Sequence, residues 1–106
     1  MPVEEIKTQS DFTTRINQNK LVLIDFHATW CGPCKMIEGQ IKTFSTEYPS
    51  VKFIKVDIDV LKDVAKAFGI KSVPTFITYK NGSKFGSVSG ANPTSIKQML
   101  NNLVAK

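Results

Sequence analysis

Cysteine and histidine are scarce in this chain, which holds two of the first and one of the second among 106 residues. That scarcity leaves no room for the disulfide framework on which small secreted domains rely, and so favours a reducing compartment. It also argues against zinc, because a role that takes four protein ligands, or three with an open position, meets only two sulfurs and the imidazole of His27. Long apolar runs are missing too. Nowhere do about 18 apolar residues follow one another, as a membrane-spanning helix requires, and Met1 to Lys7 holds no segment resembling a secretory signal. A cytoplasmic protein is the default expectation, with a processed organellar form left open because a removed transit peptide leaves no trace. Acidic side chains are the minority, nine against fourteen Lys and Arg, for a formal charge of +5. The lysines are scattered, however. Lys42, Lys52, Lys62, Lys66, Lys80 and Lys84 form no continuous run and have no interleaved surface aromatics, which speaks against nucleic acid and for solvated faces that bias docking toward acidic proteins.

What is present is enough for one core. A length of 106 residues with 42% apolar side chains sets the expectation of a single domain, 1–106, that folds without staples or metal. Both cysteines fall in one stretch, Asp25 to Lys35, two residues apart. Leu21 to Phe26 has the length and apolarity of a strand, and Ile37, Ile41, Phe44 and Tyr48 recur at helical spacing, so the pair occupies a strand-to-helix turn. A helix start offers unpaired N–H groups and the positive end of the helix dipole, which favour a thiolate over a thiol. Cys31 is therefore the attacking residue. Once it forms a mixed disulfide, a second thiol in the same turn displaces the substrate at little cost in loop entropy, and Cys34 suits that role. Pro33 is tolerated in a first turn and stiffens the link between the sulfurs, while Gly32 admits close approach of another chain.

Three blander readings compete. A structural disulfide across so short a loop restrains almost nothing in the unfolded chain. A zinc site lacks ligands. Two idle core thiols fit poorly beside Trp30 and Gly32-Pro33, which point to an exposed turn. Asp25 stands out for a different reason: a carboxylate within an apolar run is costly if charged and unpaired, so its pKa is expected to rise, making it a proton carrier near neutral pH. Its alternative is a strand-end acid hydrogen-bonded for structure.

The segment Ala28-Thr29-Trp30-Cys31-Gly32-Pro33-Cys34-Lys35-Met36-Ile37 resembles the active-site segment of the thioredoxin family. Asp25-Phe26, Lys55-Val56-Asp57, Val73-Pro74-Thr75, Lys80-Asn81-Gly82 and Ser89-Gly90-Ala91-Asn92 follow in that family's order and spacing. The resemblance implies an α/β fold, a three-layer α/β/α sandwich around a mixed five-stranded sheet, and a redox-active Cys31–Cys34 disulfide. It further implies that Asp25 lies behind Cys34 and accepts its proton, that Lys55 approaches that acid, and that Pro74 is cis and faces the cysteines. The backbone of Val73 would then bond an extended substrate strand, with Trp30, Gly90 and Ala91 completing an apolar platform. The implied activity is protein-disulfide reduction without a tightly bound cofactor, by a monomer that thioredoxin reductase recycles with NADPH. Its implied clients are peroxiredoxins, ribonucleotide reductase and methionine sulfoxide reductases. Two rivals share the shape: an oxidase or isomerase of the disulfide-isomerase kind, which commonly has histidine where Pro33 stands, and a binding module without exchange chemistry.

Two departures from the family pattern are visible. His27 stands where a large aromatic residue is common, and is read as a packed imidazole ahead of a proton carrier. Gly39 replaces a proline that kinks the second helix, so any bend there would come from looseness rather than steric blockade. Along the rest of the chain, Val3 to Ile6 reads as an edge strand, Ser10 as the cap of a helix burying Phe12 and Ile16, and Asn19-Lys20 as its end. Val51 to Asp57 reads as an inner strand, and Leu61, Val64, Ala65 and Phe68 as a helix closed by Gly69. Asn81-Gly82 joins Thr75–Tyr79 and Phe85–Ser89 in a hairpin, and Asn92-Pro93 opens a last helix carrying Ile96, Met99, Leu100, Leu103 and Val104.

Overall fold

A computed structural model describes residues 3–106; Met1 and Pro2, the first two residues of the Met1 to Lys7 stretch read as holding no secretory signal, lie outside the described residues. The first strand, β1 (Val3–Ile6), leads into helix α1 (Gln9–Gln18), which begins two residues before the position expected from Ser10. Thr8 is the cap: its Oγ1 accepts the N–H of Asp11 at 3.1 Å, and Ser10 is already helical. Both residues favour caps, and Thr8 wins because its hydroxyl reaches the third N–H of a helix that already includes Gln9. At the other end Asn19 donates its side-chain amide to the carbonyl of Arg15 at 2.8 Å. Arg15 in turn grips Glu4 with two bonds of 2.9 Å, and Lys52 adds a third contact at 3.0 Å. That pairing, mostly with Arg15, holds the Glu4 carboxyl at about 2 and ties the edge strand to α1.

Strand β2 (Leu21–His27) is the centre of the sheet, whose order is β1-β3-β2-β4-β5. It runs parallel to β3 (Lys52–Asp57) and antiparallel to β4 (Thr75–Lys80), and β5 (Ser83–Ser89) closes the far edge. The hairpin between β4 and β5 is the tight turn that Asn81-Gly82 predicts, with positive φ at both residues, 53° and 80°, so the strands extend to Lys80 and Ser83. Alternation along β2 sorts its side chains. Val22, Ile24 and Phe26 meet α1 and α3 (Lys62–Ala67) on one face, while Leu23 meets α2 (Gly32–Glu47) and α4 (Pro93–Val104) on the other. The result is the three-layer α/β/α sandwich expected.

Each face has its own core. Phe68, half-buried at the end of α3, joins Phe12, Phe26 and Tyr79 at centroid distances of 5.3, 5.6 and 5.6 Å, and Gly69 beyond it takes the positive φ of a helix stop. Opposite, Ile37, Ile41 and Phe44 of α2 and Ile96, Leu100 and Leu103 of α4 bury against Phe53 and Phe76. Fully burying one such side chain stabilises by about 1.5–3 kcal/mol, so the two cores fix where each helix starts. Close packing of α4 depends on Gly86, where a Cβ would fall 3.1 Å from Thr78 Oγ1 and 3.3 Å from the Met99 side chain.

Helix α2 runs without interruption through Gly39, whose missing side chain faces open space. Gly39→Ala should therefore stabilise the protein by about 0.5–1 kcal/mol through helix propensity alone. Urea unfolding of the two proteins would show it, and an unchanged or lower midpoint would mean that the glycine relieves strain in the helix.

Candidate active site

The loop from β2 to α2 delivers Cys31 to the cap position of a sixteen-residue helix. Its backbone is extended, and its Sγ accepts the N–H of Cys34 at 3.1 Å, which satisfies one of the helix's otherwise unpaired first-turn donors. Pro33 occupies the first turn, where a missing N–H costs nothing. The two sulfurs are joined as a disulfide, with the Cα atoms 5.3 Å apart. Both cysteines are more buried than an exposed turn would make them, at 3% and 8% of their surface. Exposure falls instead on Trp30, Gly32 and Pro33 around them, and a Cβ at Gly32 would meet no atom within 4 Å.

Beneath the disulfide, Ala28 and both cysteines form a small apolar cluster against which Ile58 and Val73 pack. Val73 thus stands beside the sulfurs, and the Val73–Pro74 bond is cis, as expected. Pro74 itself is buried, and its carbonyl accepts the N–H of Gly90 at 2.9 Å, joining the two loops. Gly90 and Ala91 are both half-exposed, and Ala91 packs toward the core of the α2 and α4 face. Trp30 is 67% exposed and donates its indole N–H to Asp59 at 2.9 Å. That bond anchors the ring to the loop after β3, whose next residue, Val60, is also exposed. Asp59 was not legible as a site residue; its spacing from Asp57 is the sole local hint, and Asp57 Oδ1 indeed accepts its N–H at 2.8 Å.

Behind Cys34 lies a half-open cavity of about 320 Å³, lined by Glu5, Asp25, His27, Ala28, Thr29, Cys34, Lys35, Glu38 and Lys55. Asp25 is buried at its inner end, and among the described residues no protein group bonds its Oδ1. Burial pushes its carboxyl up to about 6, an effect tempered by the positive charges of His27 and Lys55 and reinforced slightly by Glu5 and Glu38. Lys55 sits next to Asp25 in the sheet register, as predicted, but its ion pair is with Glu5 on its other side, at 3.7 Å. Lys55 therefore acts on Asp25 through charge at a distance. His27 is not merely packed: its Nε2 lies 3.1 Å from Glu5 Oε2. Glu5 is thus the second site residue that the sequence did not single out. Among the described residues, no three His, Cys, Asp or Glu side chains come together as metal ligands.

The likeness to characterised proteins extends over nearly the whole chain that carries this cysteine pair. Residues 3–102 match the Thioredoxin family. Thioredoxin-1 of Saccharomyces cerevisiae is 49% identical over 98 residues, covering 92% of this chain and 95% of that protein. The mitochondrial Thioredoxin-3 of the same yeast is 38% identical over 101 residues, 95% of this chain and 80% of its own. A solved chain from work on the thiol resolving mechanism of yeast mitochondrial 1-Cys peroxiredoxin via glutathione/thioredoxin systems superposes with a TM-score of 0.91. It is 37% identical, with 95% of each chain covered. Sequence, topology and the seating of the two cysteines lead to one conclusion: the chain belongs to the thioredoxin family.

Proposed function

We propose a division of labour among the site residues of the protein-disulfide reductase that family membership establishes. The single observation that carries it is Cys31 Sγ at the cap of α2, bonded by the N–H of Cys34. In the reduced protein that N–H and the helix dipole stabilise a Cys31 thiolate. The thiolate attacks a substrate disulfide, forming a bond from Cys31 Sγ to one substrate sulfur and releasing the other as a thiolate. Cys34 then gives up its proton and attacks Cys31 Sγ, expelling the second substrate thiolate. Two electrons pass to the substrate, and the protein is left with the disulfide.

Asp25 receives the Cys34 proton across the cavity both residues line, and Lys55 biases it toward the charged, accepting form. Gly32 and Pro33 set the reach and stiffness between the sulfurs. The substrate strand docks against Trp30, Val73, Pro74 and Gly90, with Ala91 at the margin; the packing of Val73 on the cysteine cluster and the bond from Gly90 to Pro74 support this. Backbone groups of Val73 supply hydrogen bonds that do not depend on substrate sequence. Residues 1–106 act as one domain and as a monomer, recycled by thioredoxin reductase and NADPH. Peroxiredoxins are the client class best supported, since a similar chain comes from work on a peroxiredoxin resolved via the thioredoxin system. Ribonucleotide reductase and methionine sulfoxide reductases complete the proposed clients. The cytosol is the proposed compartment and the mitochondrion the second reading, favoured by the likeness to a mitochondrial thioredoxin. No helix among the described residues is long and apolar enough to cross a membrane.

Insulin reduction coupled to a thioredoxin reductase and NADPH tests the roles of the sulfurs. Cys31→Ser should abolish turnover, whereas Cys34→Ser should stall after the first step and accumulate a covalent mixed disulfide, visible by mass spectrometry. Mixed disulfide on Cys34 in the Cys31→Ser protein would reverse the assignment.

Asp25 gives a second expectation, in stability. Its carboxyl titrates near 3.8 when unfolded and about 6 when folded, so between those values the folded state binds the extra proton and gains stability as pH falls. Above pH 6 the buried charge costs on the order of 3 kcal/mol. Asp25→Asn should therefore stabilise the oxidised protein at pH 7.5 by up to about that amount, and the advantage should vanish by pH 4. Urea unfolding at the two pH values reads it, and equal gains at both would show that packing, not charge, is responsible.

A further inference from the structure

His27, the one histidine of the chain, and Glu5 make a contact that the sheet does not predict. They belong to β2 and β1, which are not neighbours, because β3 lies between them. Two strand spacings across and two residues along separate their backbones by about 12 Å, and the side chains close that gap over β3. Beside their contact lies Lys55, paired in register with Glu5 on one side and Asp25 on the other. The pair and the lysine line the same cavity as Asp25 and Cys34. Exposure rises in steps from Asp25, buried at 7%, to the His27 side chain at 15% and that of Glu5 at 33%. A line of proton-binding groups thus runs from behind the resolving thiol to solvent.

We propose that His27, oriented by Glu5, relays the proton of Asp25 between the cavity behind Cys34 and solvent. The inference rests on the reading of Asp25 as acceptor of the Cys34 proton. The Glu5 carboxylate only accepts, so the ring nitrogen facing it, Nε2, carries the hydrogen, and in the neutral ring Nδ1 is the nitrogen with a lone pair. No protein group of the described residues bonds Nδ1. The cavity of about 320 Å³ that Asp25 and His27 both line has charged walls and room for water to bridge them. The balance of the step is simple. Cys34 Sγ–H passes its proton to Asp25 as the new sulfur–sulfur bond forms; Asp25 passes one proton through water to Nδ1; the imidazolium loses its Nε2 proton through Glu5 to bulk water, and exchange with water returns the remaining hydrogen from Nδ1 to Nε2. Asp25 and His27 return to their starting states, and one proton has left the protein. Reduction of the disulfide runs the path backwards.

Charged groups of both signs face His27: Glu5 from β1, Asp25 on β2, Asp57 beside it in register on β3 and Glu38 on α2 on the acidic side, and Lys55 on β3 and Lys35 on α2 on the basic side.

A merely electrostatic role makes a different forecast. His27, in its imidazolium form, lowers the Asp25 pKa and the negative charge of Glu5 raises it, so removing the two would move Asp25 in opposite directions. A relay instead loses rate in the same direction with either change. Stopped-flow oxidation of the pre-reduced protein by excess insulin, followed by Trp30 fluorescence between pH 5.5 and 8, separates them, with Asp25→Asn as the control. The expected result is that His27→Phe slows the proton-coupled phase by roughly tenfold, less than the roughly hundredfold or more of a direct acid–base group because water still reaches Asp25. Glu5→Gln should slow it less, and imidazole added to the buffer should restore His27→Ala. Opposite shifts of the pH midpoint in His27→Phe and Glu5→Gln, with plateau rates unchanged and no rescue, would overturn the relay while sparing Asp25. Should Asp25→Asn leave the same phase untouched, both the relay and the role of Asp25 fail.

Discussion

One hydrogen bond organises this molecule's chemistry: the N–H of Cys34 pointing at Cys31 Sγ, 3.1 Å away, across the first turn of α2. A helix start must find partners for its leading N–H groups, and here a sulfur takes a place that a serine or aspartate oxygen fills elsewhere. The cap atom is the sulfur proposed to attack. Any force that holds α2 in place, including the burial of Ile37, Ile41 and Phe44 beneath it, therefore also holds that sulfur. A sixteen-residue helix with an end fixed by a core cannot swing its first turn without breaking that core, so pre-organisation of the thiol comes from the packing.

Asp25 is the cost of the arrangement. On the central strand it faces the α2 side between Leu23 and His27, in a row where an apolar residue would pack without penalty. Burial drives its pKa upward, and the charges of His27 and Lys55 keep that rise within reach of neutral pH. Neither influence alone would serve. A carboxyl raised much further would stay protonated and accept nothing, while one at its solution value would hold a proton too weakly to take it from a thiol. Stability lost at one position and chemistry gained there are two aspects of the same desolvation.

How much of this was legible in the sequence depended on how local each interaction is. The Asn81-Gly82 turn, the Gly69 stop, the Asn92-Pro93 start and the seating of Cys31 each involve a few consecutive residues, and the chain shows them directly. The start of α1 was displaced because Thr8 and Ser10 are both good caps, and only the helix already formed through Gln9 decides between them. Glu5 and Asp59 were invisible for a deeper reason. Glu5 reaches His27 from 22 positions away, over an intervening strand, and Asp59 reaches Trp30 from 29 away. Such contacts follow from strand order and register, which residue types constrain only weakly. Resemblance placed Lys55 near Asp25 correctly in the register, but could not reveal that a glutamate on its far side takes the ion pair.

The two departures from the family pattern lie at different distances from the sulfurs, and the difference is instructive. Gly39 sits on the exposed side of α2 with nothing beside its Cα, so it alters the helix without altering any contact of the site. His27 sits on the strand that carries Asp25 and lines the same cavity, and it has acquired a carboxylate partner from the edge strand. An aromatic ring there would need only packing. A histidine half-removed from water would need a partner for its ring N–H, and Glu5 supplies it, together with a charge that Lys55 balances. Substitution at this one position thus draws an edge strand otherwise held by Glu4 and Arg15 into the electrostatics of the buried acid. Both departures thus leave the Cys31 cap itself untouched, and only that of His27 adjoins the buried acid.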